Sequence, residues 1–89
     1  MVEDAFAGFA NSPMAPAEYG FAITPSDTVD LPKATKAIYV GTGGSIALVF
    51  VRGSSAVSFI NVPDGAVLDV RAKAIRANGT TATNIVGLA

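Results

Sequence analysis

Three glycines and two hydroxyl residues follow an apolar stretch in the sequence GTGGS at residues 41–45, a composition that can cradle a phosphate group. A dinucleotide-binding fingerprint would need a glycine at the sixth position and a helix after it, but that position is Ile46 and a β-type run follows. The phosphate-binding loop of nucleotide hydrolases would need a lysine, which this stretch lacks. The stretch therefore predicts a hairpin loop of four or five residues, in which glycine supplies backbone conformations with positive φ.

The side chains that could act in catalysis have commoner structural roles. The 89-residue sequence contains no histidine and no cysteine, so a serine or threonine nucleophile lacks its usual base and a transition metal lacks its usual ligands. Two carboxylate pairs are conceivable, Asp27 with Asp30 and Asp64 with Asp69. Asp27 and Asp64 stand in turn sequences, and Asp69 alternates with Arg71 as in a cross-strand or diagonal ion pair. We therefore expect no enzyme activity, no cofactor and no metal.

Charge and hydropathy argue against two classes of partner. The formal net charge is -1 with six basic residues, so the chain has no basic patch to displace counterions from nucleic acid. Arg71, Lys73 and Arg76 could form a basic ridge, but beside Asp69 they are better interpreted as a solvated sheet face. No apolar run approaches the ~20 residues of a membrane helix, and the N-terminus lacks a signal-peptide pattern. We expect synthesis in the cytoplasm and export only within a larger particle.

The sequence divides near residue 33 into two parts that differ in composition, and these parts must position the residues discussed above. Residues 1–33 contain four prolines and irregularly spaced apolar residues, which predict an extended arm. Aromatic residues in the arm argue against a disordered tail, so the arm should pack on its own domain or on a neighbouring subunit or scaffold. Residues 34–89 predict a β domain.

The β domain contains five or six short candidate strands separated by turn sequences. The candidate segments are 34–40, 45–51, 56–62, 66–77 and 80–88. Segment 66–77 alternates apolar and charged residues until Ile75, which falls on the charged face and indicates either a register-shifting bulge or a contact patch. Asn78-Gly79 predicts a hairpin turn. The fold class is therefore all-β, a small antiparallel sandwich or barrel.

A chain this small and apolar is expected to associate with other chains. Hydrophobic residues make up 51% and charged residues 15%, against about 25% charged residues in a typical domain, and no disulfide can stabilise the fold. Much of the apolar excess is alanine, which a protein surface tolerates, so a domain that does not associate remains an alternative. The candidate capsid or inter-subunit contacts in the arm are Phe6, Phe9, Tyr19, Phe21 and Ile23. Those in the β domain are Val49, Val51 and Ile75.

The order of motifs resembles the head spike base proteins of alphaproteobacterial gene transfer agents and their siphophage relatives. The matching pieces are DAFAGFA near the start, FAITPSD at 21–27, the Val-Pro-x-Gly turn with LDVRA at 62–72, and GTTAT at 79–83, so the resemblance spans nearly the whole chain. It implies a β-rich subunit that forms a homopentamer on the fivefold vertices of a capsid, outside a phage-like particle. It also implies two partners, the major capsid protein and a spike fibre protein that touches the recipient cell.

Two other functions stay open. A capsid decoration protein at threefold or quasi-threefold positions would suit the same compact sequence, and the symmetry of its placement would distinguish it. A glycan-binding module for host attachment would need an exposed aromatic cluster, which the loops in the 40s and 50s do not contain. If the loop at 41–45 contacts a neighbouring subunit or fibre, bulkier residues at Gly43 and Gly44 should disturb assembly more than folding.

Overall fold

Seven β-strands form two antiparallel sheets in the computed structural model of the protein, which describes residues 16–89. The strands are β1 (Gly20–Ile23), β2 (Ala37–Thr42), β3 (Gly44–Phe50), β4 (Val57–Val62), β5 (Ala66–Leu68), β6 (Ala72–Arg76) and β7 (Thr83–Leu88). Sheet A has the strand order β1-β7-β2-β5, and sheet B has the order β4-β3-β6. Residues 16–89 contain no helix, so the all-β antiparallel fold predicted from sequence is confirmed, with one strand more than expected.

The core lies between the two sheets and follows the alternation of side chains along each strand. In β2, Ile38 and Val40 are fully buried, whereas Tyr39 between them is 40% exposed. Both sheets contribute to one buried cluster. Its members are Ile23, Ile38, Val40, Ile46, Leu48, Val62, Ala72, Ile75, Ala82 and Ile85. Removal of these apolar side chains from water, at about 25 cal/mol per Å², is the main attraction between the sheets.

The chain changes sheet four times between β2 and β7. Gly43 alone separates β2 from β3, which lie in different sheets. The consecutive strands β6 and β7 also lie in different sheets. The hairpins predicted at residues 41–45 and at Asn78-Gly79 are therefore wrong. Glycine and Asn-Gly allow a sharp turn in either arrangement, so turn chemistry does not decide which strand the chain pairs with next. A hairpin does join β3 to its antiparallel partner β4.

Segment 66–77, which the sequence predicts as one strand, is divided into β5 and β6. Residues 69–71 carry the chain from sheet A to sheet B. Thr35 fastens this break: its Oγ1 donates to the Val70 carbonyl at 2.9 Å and accepts the Ala72 amide at 3.0 Å. The Thr35 side chain is fully buried, so a protein partner for each polar atom is required there.

A bulge in β6 turns Ile75 toward the core. Ala72 pairs with Phe50 and Ala74 pairs with Val49, so Lys73 is an extra residue between two consecutive pairs. The extra residue reverses the facing of the residues that follow it, and Ile75 is 1% exposed. The bulge was one of two explanations for the position of Ile75 in the sequence, and it is confirmed.

Part of the predicted arm is built into the sandwich. Residues 20–23 form β1, which pairs with β7 along its whole length. Residues 26–31 then run beside the edge of β6, where the Ser26 amide donates to the Ile75 carbonyl at 2.9 Å and the Leu31 amide donates to the Lys73 carbonyl at 2.8 Å. This part of the arm packs on its own domain, which was one of the two alternatives. The division at residue 33 itself stays a prediction.

Candidate interaction surfaces

The glycine-rich stretch at residues 41–45 binds other parts of the protein through its backbone. The Gly43 amide donates to Asp64 Oδ1 at 2.6 Å, and the Ser45 amide donates to Thr81 Oγ1 at 2.9 Å. A Cβ on Gly43 would meet the Val62 carbonyl oxygen and the backbone of the following turn, which explains the absence of a side chain. Because two of its amides already have protein acceptors, this stretch serves as a sheet crossing and does not form a phosphate cradle.

Hydroxyl groups near the crossing hold β3 to the chain that precedes β7. Ser45 Oγ donates to the Gly79 carbonyl at 2.8 Å, and Thr80 Oγ1 accepts the Ala47 amide at 2.9 Å. Thr80 and Thr81 lie before the first residue of β7, and their side chains bond to the backbone of β3. These hydroxyls are structural ligands of the backbone and do not converge as a binding site.

The carboxylates considered for catalysis also have structural partners. Asp27 Oδ1 accepts the Asn78 amide at 2.9 Å, and Asp30 forms an ion pair with Arg76 at 3.4 Å. Both contacts fasten the 26–31 segment to β6 and to the turn after it. The observed ion pair joins residues far apart in sequence, and the predicted pairing of Asp69 with Arg71 is not seen within residues 16–89. No group of three potential metal-ligating side chains occurs in those residues.

The predicted contact residues of the arm fall into three environments. Ile23 belongs to the core at 8% exposure, and Phe21 is half-buried against the core with its ring over Gly87. Tyr19 is 53% exposed, and Lys33 Nζ lies 4.2 Å from the centre of its ring. Phe6 and Phe9 lie outside the described residues. Their roles as capsid or inter-subunit contacts stay predictions, and burial makes Ile23 the least available to a partner.

The predicted contact residues of the β domain are less exposed than the sequence suggested. Val49 is 3% exposed, Ile75 is 1% exposed, and Val51 is partly buried just after β3. Ile75 packs in the core because of the bulge in β6. An inter-subunit role for these three residues stays a prediction, and the burial of Val49 and Ile75 does not favour it.

An apolar row crosses the outer face of sheet A, and we call it the outer row. The register sets Ala22 beside Val86, Val86 beside Tyr39, and Tyr39 beside Val67, so each of the four strands contributes one residue. Tyr39 is 40% exposed and Val67 is 59% exposed. No strand of sheet A contains a charged residue. The outer face of this sheet is therefore apolar or uncharged over its whole width.

Two further exposed apolar residues, Val57 and Ile60, lie on β4 and point to opposite faces of sheet B. They are 48% and 72% exposed on β4, one of the two edge strands of sheet B. Val57 pairs with the buried Leu48 and therefore faces the core side of sheet B, but it stays partly open because β4 is an edge strand. Ile60 lies where the register of β4 shifts, next to Asn61 with its positive φ of 56°. β4 contains no charged residue.

Neither the outer row nor the exposure of Val57 and Ile60 was found by sequence reasoning. Tyr39 stands between two other apolar residues in IYV, and Val67 stands in AVL, so no polar residue marks the outward positions. Only the pairing of β2 with β5 shows that Tyr39 and Val67 are neighbours. The available signal was that successive side chains of a strand point to opposite faces. That alternation does not tell which residues of two strands lie beside each other.

Comparisons with known proteins point to a capsid component. No protein-family model matches the chain, and no curated protein matches it either. Among solved structures, the chain is 40% identical to a chain of the "Capsid of native GTA particle computed with C5 symmetry". The TM-score is 0.84, and the alignment covers 98% of this chain and 100% of that chain.

The similarity extends over nearly the whole of this chain, so it includes the two sheets, the sheet crossings and β1. A capsid component has a structural role in its particle. No helix in residues 16–89 is long and apolar enough to cross a membrane. The chain belongs to the same family as this gene transfer agent capsid component and is a structural protein of a virion-like particle.

Proposed function

We propose that this protein is the base of a head spike, whose subunits form a pentameric ring on the fivefold vertices of a capsid and anchor a spike fibre. The observation that carries the proposal is the similarity, over 98% of this chain, to a chain of a gene transfer agent capsid computed with C5 symmetry. A ring of five copies around a vertex obeys that symmetry. The motif order that resembles head spike base proteins supports the same role.

The composition of the sandwich also supports assembly into a ring. The chain has no cysteine, so neither the fold nor the ring is held by disulfides. Six of the seven strands contain no charged residue, and β6 alone contains Lys73 and Arg76. Uncharged sheet surfaces can be buried between subunits without leaving a charge unpaired.

The proposal assigns attachment to the part of the arm that precedes β1. The chain enters the sandwich beside its own C-terminal residue, where the Tyr19 amide donates to the Ala89 carbonyl at 2.7 Å. Lys36 Nζ donates to the Pro16 carbonyl at 3.2 Å on the same approach. An arm leaving from this point could add backbone hydrogen bonds to the major capsid protein and bury Phe6 and Phe9 there. The spike fibre would bind on the outside of the particle.

The test is an image of particles with and without this protein. We expect particles from cells lacking the gene to lose density at every fivefold vertex, together with the fibre above it, and complementation to restore both. Density lost at threefold or quasi-threefold positions would show a decoration protein instead. Intact fibres on particles that lack the protein would contradict the anchoring role. Binding of the purified protein to recipient-cell glycans, with fibres unaffected, would favour the glycan-binding alternative.

A further inference from the structure

We infer that one end of the sandwich, which we call the basic end, binds an acidic surface of the major capsid protein. This rests on the proposed function and adds which end of the subunit faces the capsid and which chemistry that end recognises. The basic end consists of the approach to β1, the approach to β2, the β3–β4 turn and the connection from β5 to β6. The corresponding residues are 16–19, 33–36, 51–56 and 69–71.

Strand pairing brings these four segments to the same end of the molecule. In sheet A, β2 begins where β5 ends, because Ile38 lies opposite Leu68. In sheet B, β6 begins where β3 ends, because Phe50 lies opposite Ala72. The connection from β5 to β6 therefore joins the two sheets at this end. The approach to β1 lies there too, since Lys36 Nζ donates to the Pro16 carbonyl at 3.2 Å.

Most of the positive charge of the chain lies at the basic end. Four of the six basic residues belong to it, against two acidic residues, Glu18 and Asp69. The four are Lys33, Lys36, Arg52 and Arg71. The sequence grouped Arg71 with Arg76, but β6 carries Arg76 away from this end, where it pairs with Asp30 at 3.4 Å. The positive excess therefore comes from segments that are distant in sequence.

Arg52 and Arg71 have no structural task within residues 16–89. Both are exposed, and neither side chain forms an ion pair or a hydrogen bond in that part of the chain. The two residues are close together, because the Val51 amide donates to the Arg71 carbonyl at 3.0 Å. An arginine can hold a carboxylate through two parallel hydrogen bonds. Two adjacent, uncommitted arginines therefore fit neighbouring aspartate or glutamate side chains of a partner.

The opposite end has the reverse charge, but its carboxylates are already engaged. Asp27 Oδ1 accepts the Asn78 amide at 2.9 Å, and Asp64 Oδ1 accepts the Gly43 amide at 2.6 Å. These acidic side chains hold turns together, whereas the arginines of the basic end hold nothing in the described residues. The uncommitted charge of the sandwich is therefore positive and lies at one end, where complementary charge on a partner would select it.

The course of the chain sets the direction in which the basic end faces. The chain enters the sandwich at this end, where the Glu18 amide donates to the Ala89 carbonyl at 2.7 Å. The proposed function has the residues before β1 bind the capsid. An arm that leaves from the basic end and binds the capsid tethers that end at the capsid surface. The partner of the arginines is therefore the major capsid protein, and the contacted surface is acidic.

The composition of the basic end favours a protein partner over nucleic acid. Glu18 and Asp69 stand among the basic residues and would repel the closely spaced phosphates of a nucleic acid strand. Tyr19 lies there as well, 53% exposed and 4.2 Å from Lys33 Nζ at its ring centre. Tyrosine and arginine are the residue types that carry much of the binding energy in protein interfaces. Tyr19 was a predicted capsid contact, and its position here supports that role.

The absence of cysteine from the sequence allows a direct test of orientation. Ser54→Cys places a thiol on the basic end, and Asn78→Cys places one at an exposed position of the opposite end. Each protein would carry benzophenone maleimide and bind to particles that lack the wild-type protein before irradiation. We expect Ser54→Cys to be linked to a peptide of the major capsid protein rich in aspartate or glutamate, and Asn78→Cys to give no link to that protein.

Two results of the crosslinking would overturn the inference. One is a link between Asn78→Cys and the major capsid protein, which would turn the subunit the other way. The other is a link from Ser54→Cys only to residues 1–15 of this chain, whose Glu3 and Asp4 are the competing source of carboxylates.

A second experiment tests the charges themselves. Arg52→Gln and Arg71→Gln each remove one positive charge from the basic end, and Arg76→Gln is the matched control away from it. Binding to particles that lack the protein would be measured in 0.1 M and 1 M salt, between which the screening length falls from ~10 Å to ~3 Å. We expect each of the first two variants to bind about fivefold more weakly at low salt, with a smaller difference at high salt. The control should match the wild type.

The outcomes separate this inference from the proposed function. If the wild type binds the particles and Arg52→Gln and Arg71→Gln bind equally well at low salt, the inference is wrong and the proposed function stands. Equal weakening by Arg76→Gln would show a general charge effect and would also overturn the inference. If the wild type does not bind the particles at either salt concentration, the proposed attachment is wrong, and the inference fails with it.

Discussion

Asp64 Oδ1 accepts the amide hydrogen of Gly43 at 2.6 Å, and this bond joins the two places where the chain passes between the sheets on either side of the β3–β4 hairpin. Gly43 stands between β2 and β3, and Asp64 lies in the turn between β4 and β5. The Gly65 amide adds a bond from that turn to the Val40 carbonyl at 2.7 Å. The carboxylate of Asp64, a turn residue, therefore accepts the hydrogen of the Gly43 amide, which lies where the chain crosses between the sheets and is not bonded by strand pairing.

Replacement of Gly43 by alanine should destabilise the isolated subunit. A Cβ there would meet the Val62 carbonyl oxygen and would lie 2.9 Å from the Pro63 carbonyl carbon, so backbone must move. We expect a loss of about 2–4 kcal/mol in the free energy of unfolding, measured by urea denaturation.

Gly53→Ala is the matched control for Gly43→Ala. Its added Cβ would contact Phe50 at ordinary distances from 3.4 Å, so we expect a change below about 1 kcal/mol. The sequence suggested that, if the loop at 41–45 contacts a neighbouring subunit or fibre, bulkier residues at Gly43 and Gly44 would disturb assembly more than folding, and the close contacts at Gly43 predict the reverse. A stable Gly43→Ala protein that failed only to form rings would instead support the expectation from sequence.

Thr35→Val should be strongly destabilising although it keeps the shape of the side chain. The hydroxyl bonds both the Val70 carbonyl and the Ala72 amide in a fully buried position, so valine would leave two backbone groups without that partner. We expect a loss of about 2–4 kcal/mol by urea denaturation. Thr35→Ser retains the hydroxyl and should lose less. Equal losses for the two variants would mean that the methyl group contributes as much as the hydroxyl, which would contradict the prediction.

The parts of the fold that sequence could predict depend on neighbours in the chain. Alternation marked the strands, and Ile75 on the charged face of segment 66–77 indicated a bulge or a contact patch, because a two-residue period puts every apolar residue of a regular strand on one side. The break between β5 and β6 was not visible, since it depends on Thr35, which is distant in sequence. Long-range partners of this kind leave no local pattern.

The candidate surfaces could not be predicted for a related reason. Apolar residues fill both faces of β2 and β5, so composition does not tell which side chains face outward. Val49 was predicted as a contact because it stands in a continuous apolar run, but it is buried on the sheet face that points away from the side of Leu48. Tyr39 became a candidate only when β2 was found between β7 and β5.

Asp30→Asn should change stability little. The ion pair with Arg76 spans 3.4 Å, and the Asp30 side chain is 58% exposed, so solvent screens the attraction. We expect a loss below about 1 kcal/mol, which decreases further in 1 M salt, where the screening length falls to ~3 Å. Urea denaturation at low and high salt measures both. A loss above about 2 kcal/mol that persists in high salt would indicate that the carboxylate has a further structural role.

Phe21→Ala and Tyr19→Ala together test where the arm ends and the sandwich begins. Phe21 packs against the core and over Gly87, so its truncation should lower the free energy of unfolding of the isolated subunit by about 2 kcal/mol. Tyr19 is 53% exposed and should cost less than about 1 kcal/mol. Urea denaturation and binding to particles that lack the protein would be measured for both. If Phe21→Ala left stability unchanged but abolished particle binding, Phe21 would be a capsid contact, and the arm would extend past β1 as the sequence pattern predicts.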